Sequence, residues 1–115
     1  MPVVFIIAPD WTLRTALRAE LRESGIDARG MDSANDVAYA RAAHQIPNVV
    51  VVEATPALLD DLRIQSLLRR VPAILIASRT LNVPLPPTAA VLYRPVRIAD
   101  IVASVHALLA RNPAA

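Results

Sequence analysis

Four consecutive valines, Val49 to Val52, stand between Pro47-Asn48 and Glu53-Ala54-Thr55-Pro56. The run is too short for a buried helix and is β-branched throughout. It fits a strand covered on both faces, as in a parallel sheet held between two helical layers. The strand then ends in an acid. In an open parallel sheet, ligands and chemistry collect at the C-terminal ends of the strands. Glu53 is therefore the first candidate functional residue.

The 115 residues fit one domain, large enough to bury about two-thirds of the unfolded chain's surface. The hydrophobic share is 55% and the mean hydropathy +0.42, both high for a globular chain. No apolar run approaches the roughly 20 residues of a membrane span, so the excess belongs to a core or an interface. Val3-Val4-Phe5-Ile6-Ile7 has no charged region ahead of it and breaks at Pro9-Asp10, which reads as a first strand and not a signal peptide. The chain has no cysteine, which excludes a disulfide framework and a thiolate metal site and points to a cytoplasmic protein. Net charge is only +2, and the isoelectric point of 9.9 reflects that all 12 basic residues are arginine. Neither direct nucleic-acid binding nor a membrane partner is expected.

The remaining elements arrange themselves around the valine strand. Asp10 caps a helix over Trp11 to Ser24, with Leu13, Ala16, Leu17 and Leu21 inward and Gly25 as the stop. Arg14, Arg18 and Arg22 line another side of it. That line reads as a solvated face, with phosphate contact as the alternative. Ile26 to Arg29 makes a short edge strand. Ser33 or Asn35 starts a second helix running to about His44, with Val37 and Ala40 inward. His44, in the last turn, complements the helix dipole; no Ser or Asp accompanies it as in a catalytic set. From Ala57 to Arg70 two apolar stripes disagree, Leu58-Leu59-Leu62 against Ile64-Leu67-Leu68. This predicts a break or bend near Leu62, or else a second apolar face for a partner.

Val71 to Ala77 is the fourth strand. Between Arg79 and Ala90, Pro84, Pro86 and Pro87 remove amide donors and disfavour helical angles, so no full helix fits. Ala89 to Tyr93 is the fifth strand, and Arg94-Pro95 is a dipeptide open to the cis form. A final helix carries Ile98, Ile101, Val102, Val105, Leu108 and Leu109, flanked by Ala99 and His106, and stops at Asn112-Pro113. The order predicts an α/β fold, a three-layer α/β/α doubly wound sandwich. Its five parallel strands take the flavodoxin-like order 2-1-3-4-5, and a Pro-rich loop replaces the fourth helix. The switch point then brings the Ala8-Pro9-Asp10 turn beside Glu53.

Through strand one with its turn, Pro47 to Glu53, Pro72-Ala73-Ile74-Leu75-Ile76-Ala77-Ser78 and Tyr93-Arg94-Pro95-Val96, the chain resembles the receiver domains of two-component response regulators. The likeness runs from Val3 to Arg111, which implies a receiver-like domain over 1–111 and leaves 112–115 as a tail or the start of a linker. It implies a bacterial signalling module with a phosphoacceptor aspartate, an acidic pair for Mg²⁺, a hydroxyl residue, a lysine and a switch aromatic. Each position departs from that pattern here. Glu53 stands at the phosphoacceptor position, Ala8 and Pro9 at the acidic pair, and only Asp10 is nearby. Ala77 matches the hydroxyl position, unless a slip of one residue lets Ser78 serve. Arg94, ahead of Pro95, matches the lysine, and Val91 the switch aromatic. Phosphoryl transfer to a carboxylate gathers negative charge that a hard cation must offset. Mg²⁺ demands tight octahedral oxygen coordination, which Glu53 and Asp10 supply poorly. Glutamate also carries its carboxylate about 1.5 Å farther out.

The resemblance, with these departures, implies a pseudo-receiver: a phosphorylation-independent protein–protein interaction or dimerisation module, not an enzyme, with no metal and no cofactor. Its partner would be a second copy, another protein or an output domain in a longer chain. Val91, Tyr93, Ile101, Val102 and His106 form the candidate interface. The other function weighed is a small-molecule or nucleotide-binding regulatory domain using the crevice at Glu53. Against it, Gly25 and Gly30 are the only glycines, and neither lies in a phosphate-cradling loop. Glu53 and Arg94 either pair directly and bidentately, locking one conformation, or remain solvated rim residues. Trp11 either roofs the pocket or anchors a partner.

Overall fold

The computed structural model describes residues 1–43 and 45–111; His44 and 112–115 lie outside them. Strands β1 (Val3–Ile7), β2 (Asp27–Met31), β3 (Val49–Glu53), β4 (Ala73–Ala77) and β5 (Ala90–Tyr93) form one parallel sheet in the order β2-β1-β3-β4-β5. Successive side chains point to opposite faces of a sheet, and both faces are apolar here. Phe5, Ile7, Val50, Val52 and Leu75 bury on one side; Val4, Ile6, Val49, Val51, Ile74 and Ile76 bury on the other. Helices α2 (Ala34–Ala42), α3 (Pro56–Leu59) and α4 (Leu62–Arg70) contribute to the first core. Helices α1 (Trp11–Glu23) and α5 (Ile98–Arg111) contribute to the second. The expected three-layer doubly wound sandwich is the observed one.

Local chemistry sets the element ends. The Asp10 carboxylate accepts the amides of Thr12 and Leu13 and starts α1. Gly25, at φ 85°, makes the left-handed turn after it. Ser33, and not Asn35, caps α2. The stretch after Glu53 does break: Thr55 caps α3, and Asp61 caps a separate α4. The break resolves the two stripes, since Leu58, Leu59, Ile64, Leu67 and Leu68 all reach one core while Leu62 is left 78% exposed.

Three strands differ in their bounds from expectation, the least of them β5, which begins at Ala90 and not Ala89. β2 runs later than Ile26 to Arg29, because its register with β1 continues until Met31 lies opposite Ile7. β4 begins at Ala73, not Val71, because Pro72 has no N–H to offer the ladder. Residues 78–89 form no helix, and Leu81, Val83 and Leu85 pack against the core there instead. No helix among the described residues is long and apolar enough to cross a membrane.

Candidate functional site

Glu53 ends β3 at the point where the strand order reverses, and its side chain is 17% exposed. The two carboxylate oxygens go to different partners. Oε1 accepts the Asp10 N–H at 2.9 Å, and Oε2 accepts Nη2 of Arg94 at 3.1 Å. Arg94 is itself fixed by its backbone, whose N–H donates to the Ala77 carbonyl at 2.9 Å, and the Arg94–Pro95 bond is cis. The direct pair is present, but it is not the bidentate fork expected from the residue types. The Asp10 amide has already taken the second oxygen. Because Asp10 is the N-cap of α1, the Glu53 carboxylate rests at the positive end of that helix. One side chain thereby links the ends of β3 and β5 to the start of α1.

The surrounding donors do not fit a magnesium ion. The Asp10 carboxylate is turned to its own helix amides. Ala8 and Pro9 bring no side-chain oxygen, and the Ala8 carbonyl accepts Nη1 of Arg14 at 2.6 Å. Among the described residues no group of three or more His, Cys, Asp or Glu is placed to hold a metal ion. Glu53 alone, already facing a guanidinium, falls well short of the oxygen-rich octahedron Mg²⁺ requires. Ala77 is buried and presents only a methyl group. Ser78 is exposed, its Oγ 2.8 Å from the hydroxyl of Thr80 and accepting the Thr80 N–H at 3.2 Å. A crevice of about 370 Å³ lies beside the pair, lined by Glu53, Thr55, Ser78, Thr80, Asn82 and Arg94 among others. Thr80 and Asn82 reach it from the loop after β4. Sequence periodicity says nothing about where such a loop folds, so nothing singled them out beforehand.

The five candidate interface residues do not share a surface. Ile101 is 0% exposed, in the core with Val4, Ile6 and Val105, because the apolar stripe of α5 is turned to the sheet. Val102 is half-buried at the edge of the same core. Val91 packs toward the opposite layer. Tyr93 is partly exposed with the Arg79 guanidinium 5.2 Å from its ring centroid. His106 is exposed, its Nε2 3.0 Å from Oγ of Ser24 beyond the end of α1. Trp11 does not roof the Glu53 crevice. It is 67% exposed and borders a different hollow, between α1 and β2.

No family model matches the chain, and no curated protein sequence does. Solved structures do. The Francisella response regulator 1452 receiver domain aligns with a TM-score of 0.74 at 18% identity, covering 97% of this chain and 99% of that one. A response regulator receiver protein from Burkholderia phymatum gives 0.73 at 23% identity, with 96% of each chain covered. For the response regulator StyR the TM-score is 0.75 at 21% identity, covering 97% of this chain and 61% of that one. At such identities the likeness is one of fold. The chain has the receiver fold.

Proposed function

We propose that this chain, built on the receiver fold, is a signalling domain that acts without phosphorylation, by binding another protein. The observation that carries this reading is the lack of oxygens for a cation beside Glu53: Ala8 and Pro9 bring no side-chain oxygen, the Asp10 carboxylate is turned to its own helix amides, and Glu53 itself faces the Arg94 guanidinium. A phosphoacceptor must offer a free lone pair to phosphorus while a cation offsets the gathering charge. Magnitudes identify the obstacle. The Glu53–Arg94 pair is worth only about 1 kcal/mol or less, since Arg94 is 40% exposed. A pair that weak yields readily, so the missing cation site outweighs it as the barrier. The domain then works as a fixed module of the cytoplasm. Its partner is a separate protein or a further domain of a longer chain, an arrangement consistent with its matching 61% of StyR.

A small-ligand role has the crevice of about 370 Å³ in its favour. The carboxylate and guanidinium there satisfy each other, which leaves less for a ligand to recognise. Amide-resolved NMR during a magnesium titration tests the main reading. The amides of Asp10, Ala54 and Thr55 keep their shifts. A saturable displacement at Asp10, whose N–H reports on Glu53 directly, overturns it. The same titration with a nucleotide tests the ligand role.

A further inference from the structure

Away from Glu53, α1 and the edge strand β2 enclose a hollow of about 310 Å³ lined by Trp11, Arg14, Arg18, Arg22, Arg29 and Gly30. The three helix arginines are four residues apart, so each stands roughly 6 Å above the last on one side of α1. Among the described residues none of the three makes an ion pair with a carboxylate. Nη1 of Arg14 donates to the Ala8 carbonyl at 2.6 Å, and Nε of Arg22 donates to the Ala28 carbonyl at 3.1 Å. A carbonyl orients a guanidinium without neutralising it. Arg18 is exposed and makes no hydrogen bond or ion pair among the described residues. Gly30 allows the arrangement: a Cβ there would come within 3.0 Å of Cγ of Arg14, so the bare backbone lets the arginine stem lie across the strand.

Only Arg29 is ion-paired, with Asp27 at 2.8 Å. Four arginines against that one aspartate leave +3 on this face in a chain of net +2, so the rest of the chain sums to −1. Glu20 and Glu23 fall well round the helix from the arginine line at about 3.6 residues per turn.

We infer that this hollow docks an acidic helical segment of a partner protein, its carboxylates meeting Arg14, Arg18 and Arg22 while an apolar side chain covers Trp11. The inference rests on the interaction reading above for the existence of a partner and adds its chemistry. Guanidinium groups take carboxylates through paired, planar hydrogen bonds. Arginine and tryptophan are the residues that most often anchor protein interfaces. The four-residue spacing of the arginines equals that of carboxylates one turn apart on a second helix. Addition of a strand at β2 is disfavoured. The Asp27 N–H and the Met31 carbonyl face β1, so Ala28 faces the open edge, where Arg22 already occupies its carbonyl. A single-stranded nucleic acid fits less well, because it calls for a series of aromatic platforms and Trp11 stands alone here.

Trp11 is the only tryptophan in the chain, so its fluorescence reports on the hollow directly. The probe is a synthetic helical peptide with Glu at every fourth position and Leu on the adjoining stripe, compared with the same peptide carrying Gln. The Glu peptide gives a saturable change in emission that weakens with salt, and the Gln peptide gives none. Arg18→Glu, at an exposed site, keeps the circular dichroism of the parent and binds the Glu peptide roughly tenfold more weakly. Three results overturn the inference: no response to the Glu peptide, equal response to both peptides, or tighter binding of an oligothymidylate than of the Glu peptide in the same buffer. Each leaves the magnesium titration of the Glu53 site unaffected, so failure of this surface and failure of the phosphorylation-independent reading are told apart.

Discussion

A glutamate at the end of β3 meets two donors, the Asp10 amide and the Arg94 guanidinium, before it meets bulk water. Residue types alone predict a fork between Glu53 and Arg94. They do not reveal that a backbone amide competes for the same carboxylate, because that contact depends on how the β1–α1 turn is laid. The fork appears elsewhere, at Asp61, whose carboxylate accepts Nε of Arg63 at 3.1 Å and Nη2 at 2.9 Å while also capping α4. The Arg63 guanidinium and the cap amides hold the Asp61 carboxyl down from 3.8 to about 2. A carboxyl lowered on folding stabilises above its unfolded value and loses that contribution as pH falls toward the folded one. Asn also caps helices well, so Asp61→Asn isolates the charge. In urea denaturation the parent is predicted to be the more stable protein at neutral pH, and its advantage to shrink as pH drops from 3.8 toward about 2. A constant difference across that window would sink the assignment.

At the scale of elements, what a sequence displays is periodicity. The valine run, the strand alternation and the six-residue stripe of α5 are legible because they repeat, and the fold follows from them. The ends of β2 and β4 are less so, since pairing register and a missing proline amide set them. Which part of the α5 stripe is deepest is not legible either: six apolar positions spread too widely to rank, and Ile101, a candidate interface residue by its place in the stripe, is fully buried. Core position has a measurable consequence. Ile101→Ala is predicted to cost about 2–5 kcal/mol by cavity formation, against roughly 1 kcal/mol for Val102→Ala at the half-buried edge. Equal small losses for both in chemical denaturation would place Ile101 outside the core.

Over the whole molecule, the fold brings the switch-point residues together as the strand order requires, whatever their chemistry. Topology alone carries Ala8, Pro9, Glu53, Ala77 and Arg94 to one end of the sheet, so this gathering is legible from sequence. The arginine hollow is not. Its making depends on Arg14 lying across Gly30 and on Arg22 reaching the β2 edge, and a helical wheel shows only a charged stripe. Charge and an exposed indole collect on that face while the strand-end crevice is held by internal bonds, which is the distribution expected of a module that binds without being modified.

The most direct measurement is intact mass after incubation with acetyl phosphate and Mg²⁺. The parent chain and Glu53→Asp are both predicted to keep their unmodified mass, because the oxygens a cation needs are missing at Ala8 and Pro9 and shortening the acid restores none of them. A phosphoryl adduct on the parent chain that disappears in Glu53→Gln would contradict phosphorylation-independent action.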